Sequence, residues 1–256
     1  MDVTSRAREL ERTNRDFYEP LWDEAQLIAP QRFNTWPLVE SLLRIGSRCL
    51  EVAPGLRPRL PLAGTRFVDM SERAVARLRE AGAHAEVGTI VDLPFESQTF
   101  DLVCAMDVIE HVDDDFSALS ELARVLAPGG TLLLSVPLHQ SLWTAFDEFV
   151  GHCRRYEPAT LTARLARFGL HIERSAIYGM APRSSRLLDL GLWYLVNQRE
   201  RAMWWYNRVF MPLAVRFQKP LTLVDGLIGD EEVDEVLVIC RAPQFVHHAT
   251  NSLKPM

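Results

Sequence analysis

Three residues near the first apolar run of the chain have the spacing of a nucleoside-binding site. In Cys49–Met70, CLEVAPGLRPRLPLAGTRFVDM, Glu51 closes one strand-like run, Gly55 sits in the turn after it, and Asp69 closes a second run. In an open parallel sheet a glycine turn lets a ligand approach the backbone, and a carboxylate at the next strand tip accepts hydrogen bonds from ribose hydroxyls. A second group could do proton chemistry. His152 follows Asp147 by five residues in DEFVGHCRRYEP, and a His–Asp pair can take a proton near neutral pH. The competing reading of Asp147 is a salt-bridge network with Arg154 and Arg155. Asp107, after the run FDLVCAM, is the other candidate base. His139, at the end of TLLLSVP, faces the same edge. Glu110-His111 either orients the loop after FDLVCAM or reaches the substrate.

These residues need a sheet to hold them. Strand-like runs fall at 48–53, 65–69, 84–87, 100–105, 131–136, 171–177 and 235–241. Helical periodicity marks Thr35–Ile45, Ser71–Ala81, Asp114–Leu126 and Pro158–Phe168. Ser71 suits an N-cap and Gly82 a stop, while Pro128-Gly129-Gly130 and Gly169 end the other two. Alternation of this kind predicts an α/β, doubly wound, mostly parallel, seven-stranded Rossmann-like sheet. Residues 1–46 read as an N-terminal helical segment, polar and helix-compatible over 4–26. Residues 47–178 read as the binding core, 179–230 as a helical cap, 231–243 as the last strand, and 244–256 as a flexible tail. The cap carries Trp193, Tyr194, Trp204, Trp205, Tyr206 and Phe210 among several arginines. A lid packed on the sheet is the simplest account of it, a pocket wall for an apolar acceptor the next. Interfacial membrane contact is the minority reading.

The 256 residues are 48% hydrophobic and 24% charged, an ordinary globular composition. A net charge of −6 argues against binding a phosphate backbone. The four cysteines show no C-x-x-C spacing, so no metal is expected. The charged N-terminus and the lack of a long uncharged run point to the cytoplasm.

Five features in order, LEVAPG, FVDMS, VGTIVDLPFESQTFDLV, CAMDVIEHVDD and ARVLAPGGTLLLSVP, resemble a class I S-adenosylmethionine-dependent methyltransferase, closely over residues 47–140. GHCRRYEP resembles a Gly-His-x-Arg-Arg-Tyr element of some small-molecule branches. The resemblance implies S-adenosylmethionine held by Glu51, the Ala53-Pro54-Gly55 turn, Asp69, Met70, Thr89, Ile90 and Met106. Asp107, His139 and His152 then fall on the acceptor side. It implies methyl transfer to a small or lipid-like acceptor, at oxygen, with no nucleic-acid partner. Two turn glycines are missing, and Thr89 stands where relatives place an acid. Those departures keep open a non-catalytic nucleotide- or partner-binding protein of the same fold. The lone turn glycine and the prolines after it disfavour NAD, since a pyrophosphate needs a helix start there.

Overall fold

The structure is a computed structural model that describes residues 25–179 and 197–244, together with 19, 21, 22, 191, 193 and 194. Most of the helix expected over 4–26, the start of the cap at 180–190 and the tail from 245 lie outside the described residues.

Strands β1 (Cys49–Val52), β2 (Thr65–Asp69), β3 (His84–Val87), β4 (Phe100–Met106), β5 (Leu126–Pro137), β6 (His171–Ile177), β7 (Val224–Asp225) and β8 (Glu235–Arg241) form one sheet. Its order is β3-β2-β1-β4-β5-β8-β6-β7. β1 to β5 run parallel, and β8 is inserted antiparallel between β5 and β6. Among the described residues the expected seven strands become eight. The addition is the two-residue β7, where Val224 pairs with Ser175 and Asp225 with Arg174. It lies inside the segment read as helical cap and covers the otherwise open edge of β6.

Among the described residues, the helices with defined bounds are α1 (Trp36–Leu42), α2 (Glu72–Glu80), α3 (Asp115–Val125), α4 (Ala145–Val150), α5 (Pro158–Arg167), α6 (Arg199–Trp205) and α7 (Met211–Arg216). Side chains of a strand alternate between faces, and β4 shows the result. Val103 and Ala105 join Leu119 and Leu122 of α3 and Leu161 and Leu165 of α5. Leu102 and Cys104 join Leu38 and Val39 of α1 on the other face. A strand apolar on both faces needs cover on both, which makes the sheet doubly wound. Ser71 caps α2 by accepting from the Ala74 N–H, and Gly82 leaves it with φ of +85°.

Two helix ends differ from expectation. α3 stops at Val125, and the segment read as a Pro-Gly-Gly turn instead starts β5, with Leu126 opposite Phe100 across a bulge. Between β1 and β2 no helix forms. α6 continues through a π-helical turn, Tyr206–Phe210, into α7. This unit packs on the N-terminal residues and on the loop after β1. Met203 meets Leu21, Trp22 and Leu56, and Met211 and Val215 meet Phe33.

Candidate functional site

The parallel strands all end at one edge of the sheet, and the acids singled out in the sequence lie along it. Ala53 (φ +55°) follows β1, Asp107 (+51°) follows β4 and His139 (+58°) follows β5. Left-handed backbone at a non-glycine residue costs about 1–2 kcal/mol. Three such residues beyond three adjacent strands mark this edge as the place where strain is tolerated for a purpose.

Asp69 is buried at the tip of β2. Its carboxylate accepts the N–H of Gly55 at 2.8 Å and that of Ser71 at 2.8 Å. Burial raises its pKa to about 6 against the lowering effect of those two N–H groups. Each oxygen keeps a lone pair for a further donor. Glu51 is 2% exposed and accepts the N–H groups of Arg59 and Leu60 at 2.8 Å each. Burial dominates here too and pushes it up to about 7. Met70, Ala53 and Met106 are half-buried, Pro54 and Ile90 buried, and Thr89 exposed in a short turn closed by a Thr89–Asp92 bridge.

Gly55 is closely covered. A Cβ there would lie 2.1 Å from the Trp22 ring, and φ is +53°. Gly55→Ala is therefore expected to cost about 2–4 kcal/mol, from strain and overpacking together. A urea unfolding curve of the variant checks this, and a cost under 0.5 kcal/mol would show that Trp22 does not sit on the turn. Arg57 holds Trp22 in place, with its guanidinium 5.3 Å from that ring and 5.1 Å from the Tyr206 ring.

On the other side of the edge, Asp107 accepts from the Ser135 hydroxyl at 2.5 Å. Glu235 of β8 lies beside it. Burial, then the Asp107 charge, holds Glu235 well above the usual carboxylate range. Arg59 supplies the balancing cation: it donates to the Tyr178 hydroxyl at 3.0 Å, stacks 3.7 Å from the Phe33 centroid, and feels both Glu51 and Asp107. Arg59, Tyr178 and Glu235 escaped the sequence reading because their partners lie far along the chain.

His139 has both ring nitrogens engaged, Nδ1 at 3.3 Å from Glu157 and Nε2 at 3.0 Å from the Asp230 carbonyl. His152 Nδ1 lies 2.8 Å from Asp147. Asp147 is fully buried and also accepts from Arg155 and Thr144. Burial alone would raise it, yet His152 and Arg155 outweigh burial and hold it far below the usual range. The two readings of Asp147, a His partner and a salt bridge, thus coexist in one network. Arg154 does not join it and pairs with Asp115 at 2.8 Å, where Arg164 and the Tyr156 hydroxyl also bind. His111 and His152 rings meet edge to face, 4.5 Å apart. Burial, then His152, pushes His111 down to about 3, so its ring is neutral at physiological pH.

Comparison with known proteins shows what the chain resembles. Residues 52–134 match the family model of a methyltransferase domain. A probable S-adenosylmethionine-dependent methyltransferase of Mycolicibacterium smegmatis is 32% identical over 41% of this chain and 43% of its own length. The chloroplastic tocopherol O-methyltransferase of Arabidopsis thaliana is 31% identical over 39% of this chain and 26% of its own. The chain thus spans less than half the length of these relatives. Among solved structures, an S-adenosylmethionine-dependent methyltransferase of Thermotoga maritima, described as a possible histamine N-methyltransferase, aligns over 93% of this chain and 95% of its own. Its TM-score is 0.55 at 18% identity, which shows the shared fold. Residues 52–134 are thus similar to a methyltransferase domain, and the relatives that share this stretch include proteins described as S-adenosylmethionine-dependent methyltransferases. No helix among the described residues is long and apolar enough to cross a membrane.

Proposed function

We propose that the protein moves a methyl group from S-adenosylmethionine to an oxygen of a small or lipid-like acceptor, by in-line displacement. The observation that carries this reading is the buried Asp69 carboxylate bonded to the Gly55 N–H at the tip of adjacent strands, inside the matched domain. The residues present suit the cofactor. Glu51, Asp69 and Asp107 lie along one edge and favour a cation, and the helix-free link from β1 to β2 offers no pyrophosphate cradle.

In this reading residues 47–178 with the strand in 231–243 form the cofactor core. Glu51 and the Ala53-Pro54-Gly55 turn border the methionine part, Asp69 takes the ribose hydroxyls, and Met70, Thr89 and Ile90 border the adenine. Met106 and Asp107 lie beside the reacting centre. Bound S-adenosylmethionine supplies an electrophilic methyl on a cationic sulfur. Alignment of the acceptor is the protein's main contribution. Asp107 and His152 are the groups able to take the acceptor's proton, whereas His139, engaged on both nitrogens, positions the loop after β5. Segment 179–230 closes the acceptor side. Its exposed Trp204, Trp205, Phe210 and Phe217 support an apolar acceptor.

The test is calorimetric titration with S-adenosylmethionine, S-adenosylhomocysteine and NAD. It is followed by transfer of labelled methyl into long-chain alcohols and phenols. Micromolar binding of the first two, none of NAD, and label in an ether product are expected. The specific observation favouring a non-catalytic binding protein is Trp22 packed over Gly55. Absence of binding to all three ligands would replace the enzymatic reading with that one.

A further inference from the structure

We infer that Glu110, His111 and His152 form a binding site for a first-row divalent metal ion of the zinc type. Their donor atoms lie within 4.8 Å of one another. Glu110 is 1% exposed, and neither of its carboxylate oxygens has a hydrogen-bond partner. A buried carboxyl without a partner is costly to ionise, and a bound cation is one of the few things that offsets that cost. A carboxylate left bare beside two imidazoles is the arrangement that an ion completes.

The scaffold around the three residues is built to hold them. Glu110 and His111 lie on a 3-10 turn, Ile109–His111, directly after β4. Gly151, left-handed at φ +80°, ends α4 and turns His152 back toward that turn. The Cys153 N–H bonds the Glu110 carbonyl at 2.7 Å and locks the two segments together. Asp147 accepts the Nδ1 proton of His152, which leaves Nε2 with its lone pair. A carboxylate behind a ligating histidine in this way fixes its tautomer and raises its basicity. Ligation at about 2.0–2.2 Å needs donors about 3–4 Å apart. Glu110, which no hydrogen bond restrains, can rotate to close the difference.

The donor set selects the ion. Two imidazoles and one carboxylate suit Zn²⁺, and by the same ligands Co²⁺, whereas Mg²⁺ and Ca²⁺ prefer oxygen throughout. Three protein ligands leave open positions. Because Glu110 and His111 lie on the turn directly after β4, three and four residues beyond Asp107, the ion would stand on the acceptor side of the edge. An acceptor hydroxyl is the ligand class that fits, coordination lowers the pKa of such a group, and with His152 ligating the ion Asp107 is left to take the proton. That last step rests on the methyl-transfer reading, but binding of the ion does not. The site also departs from the metal-free expectation drawn from the cysteines.

The test uses the full chain stripped with a chelator and titrated with Zn²⁺, Co²⁺ and Mg²⁺. One Zn²⁺ per chain is expected, with visible Co²⁺ bands that carry no thiolate absorption and no Mg²⁺ binding at the same concentrations. Glu110→Gln and His152→Gln are each expected to weaken Zn²⁺ by about tenfold or more, and His84→Gln, on the exposed end of β3, to leave it unchanged. Glu110→Gln should keep its melting temperature, because that carboxylate makes no hydrogen bond to lose. Zn²⁺ affinity unchanged in both site variants, or no stoichiometric site in the parent, would overturn the inference. S-adenosylhomocysteine binding is measured on the same samples. Its absence from the parent counts against methyl transfer and leaves the metal result standing.

Discussion

Replacing Asp69 by Asn is expected to weaken S-adenosylhomocysteine binding by about a hundredfold while leaving the protein folded. A hydrogen bond to a charged group is worth about 1.5–3 kcal/mol. Two ribose hydroxyls that lose a carboxylate for a neutral amide give up roughly that much in sum, and 1.4 kcal/mol is tenfold. The amide oxygen can still accept from Gly55 or Ser71, whose N–H groups lie 2.8 Å from the carboxylate. Asp69→Ala is the harsher change, because it leaves both N–H groups buried without an acceptor. About 1–3 kcal/mol of stability for each is then lost along with binding. Calorimetry and thermal melts on the two variants separate the effects. An Asn variant that binds normally would remove Asp69 from the ligand's surroundings altogether.

S-adenosylmethionine affinity is expected to rise with pH between about 5.5 and 8, and Glu51 is the reason. Its pKa goes from the ordinary 4.5 up to about 7 in the folded chain, chiefly through burial. A cation beside it favours the ionised form, so below pH 7 binding must expel a proton, and affinity falls by up to about tenfold per pH unit. S-adenosylhomocysteine lacks the sulfonium charge and should show the shallower slope. Stability runs the opposite way. The folded carboxyl holds its proton more tightly than the unfolded one, so its contribution is fully present below pH 4.5. It is lost as pH rises to 7 and stays lost above, a difference of about 3 kcal/mol. Asp69, pushed up to about 6, acts in the same sense over a lower window. Glu51→Gln should flatten both profiles. Equal slopes in the variant and the parent would assign the titration to another group.

Most of the fold was readable because its signals are local. Ser71 as cap, Gly82 as stop and Val75 and Leu78 one helical turn apart define α2 without reference to the rest of the chain. The apolar runs of β4 and β5 likewise announce strands buried on both faces. Where pairing depends on distant residues the reading failed. Leu126 belongs to β5 only because Phe100 lies opposite it, and the two residues of β7 are too few to carry a period. The site divides in the same way. Asp147, His152 and Arg155 fall within nine residues of chain, and their network was foreseen in outline. Arg154 was assigned to Asp147, yet its partner Asp115 is 39 residues away and left no local trace. Arg59 meets Tyr178 across 119 residues, a contact that only the packing of the sheet creates.

The position of β8 has a consequence for how the chain becomes a protein at all. It pairs along its length with both β5 and β6, yet it is made last of the eight strands. On a ribosome, β5 is complete about a hundred residues before its neighbour emerges, and its apolar edge stays open for several seconds at ordinary synthesis rates. The two halves of the sheet share no strand-to-strand hydrogen bonds until Glu235–Arg241 slides between them. Closing so long a loop is entropically mild but kinetically slow. The last strand is a keystone, and a chaperone's best opportunity comes just before it arrives.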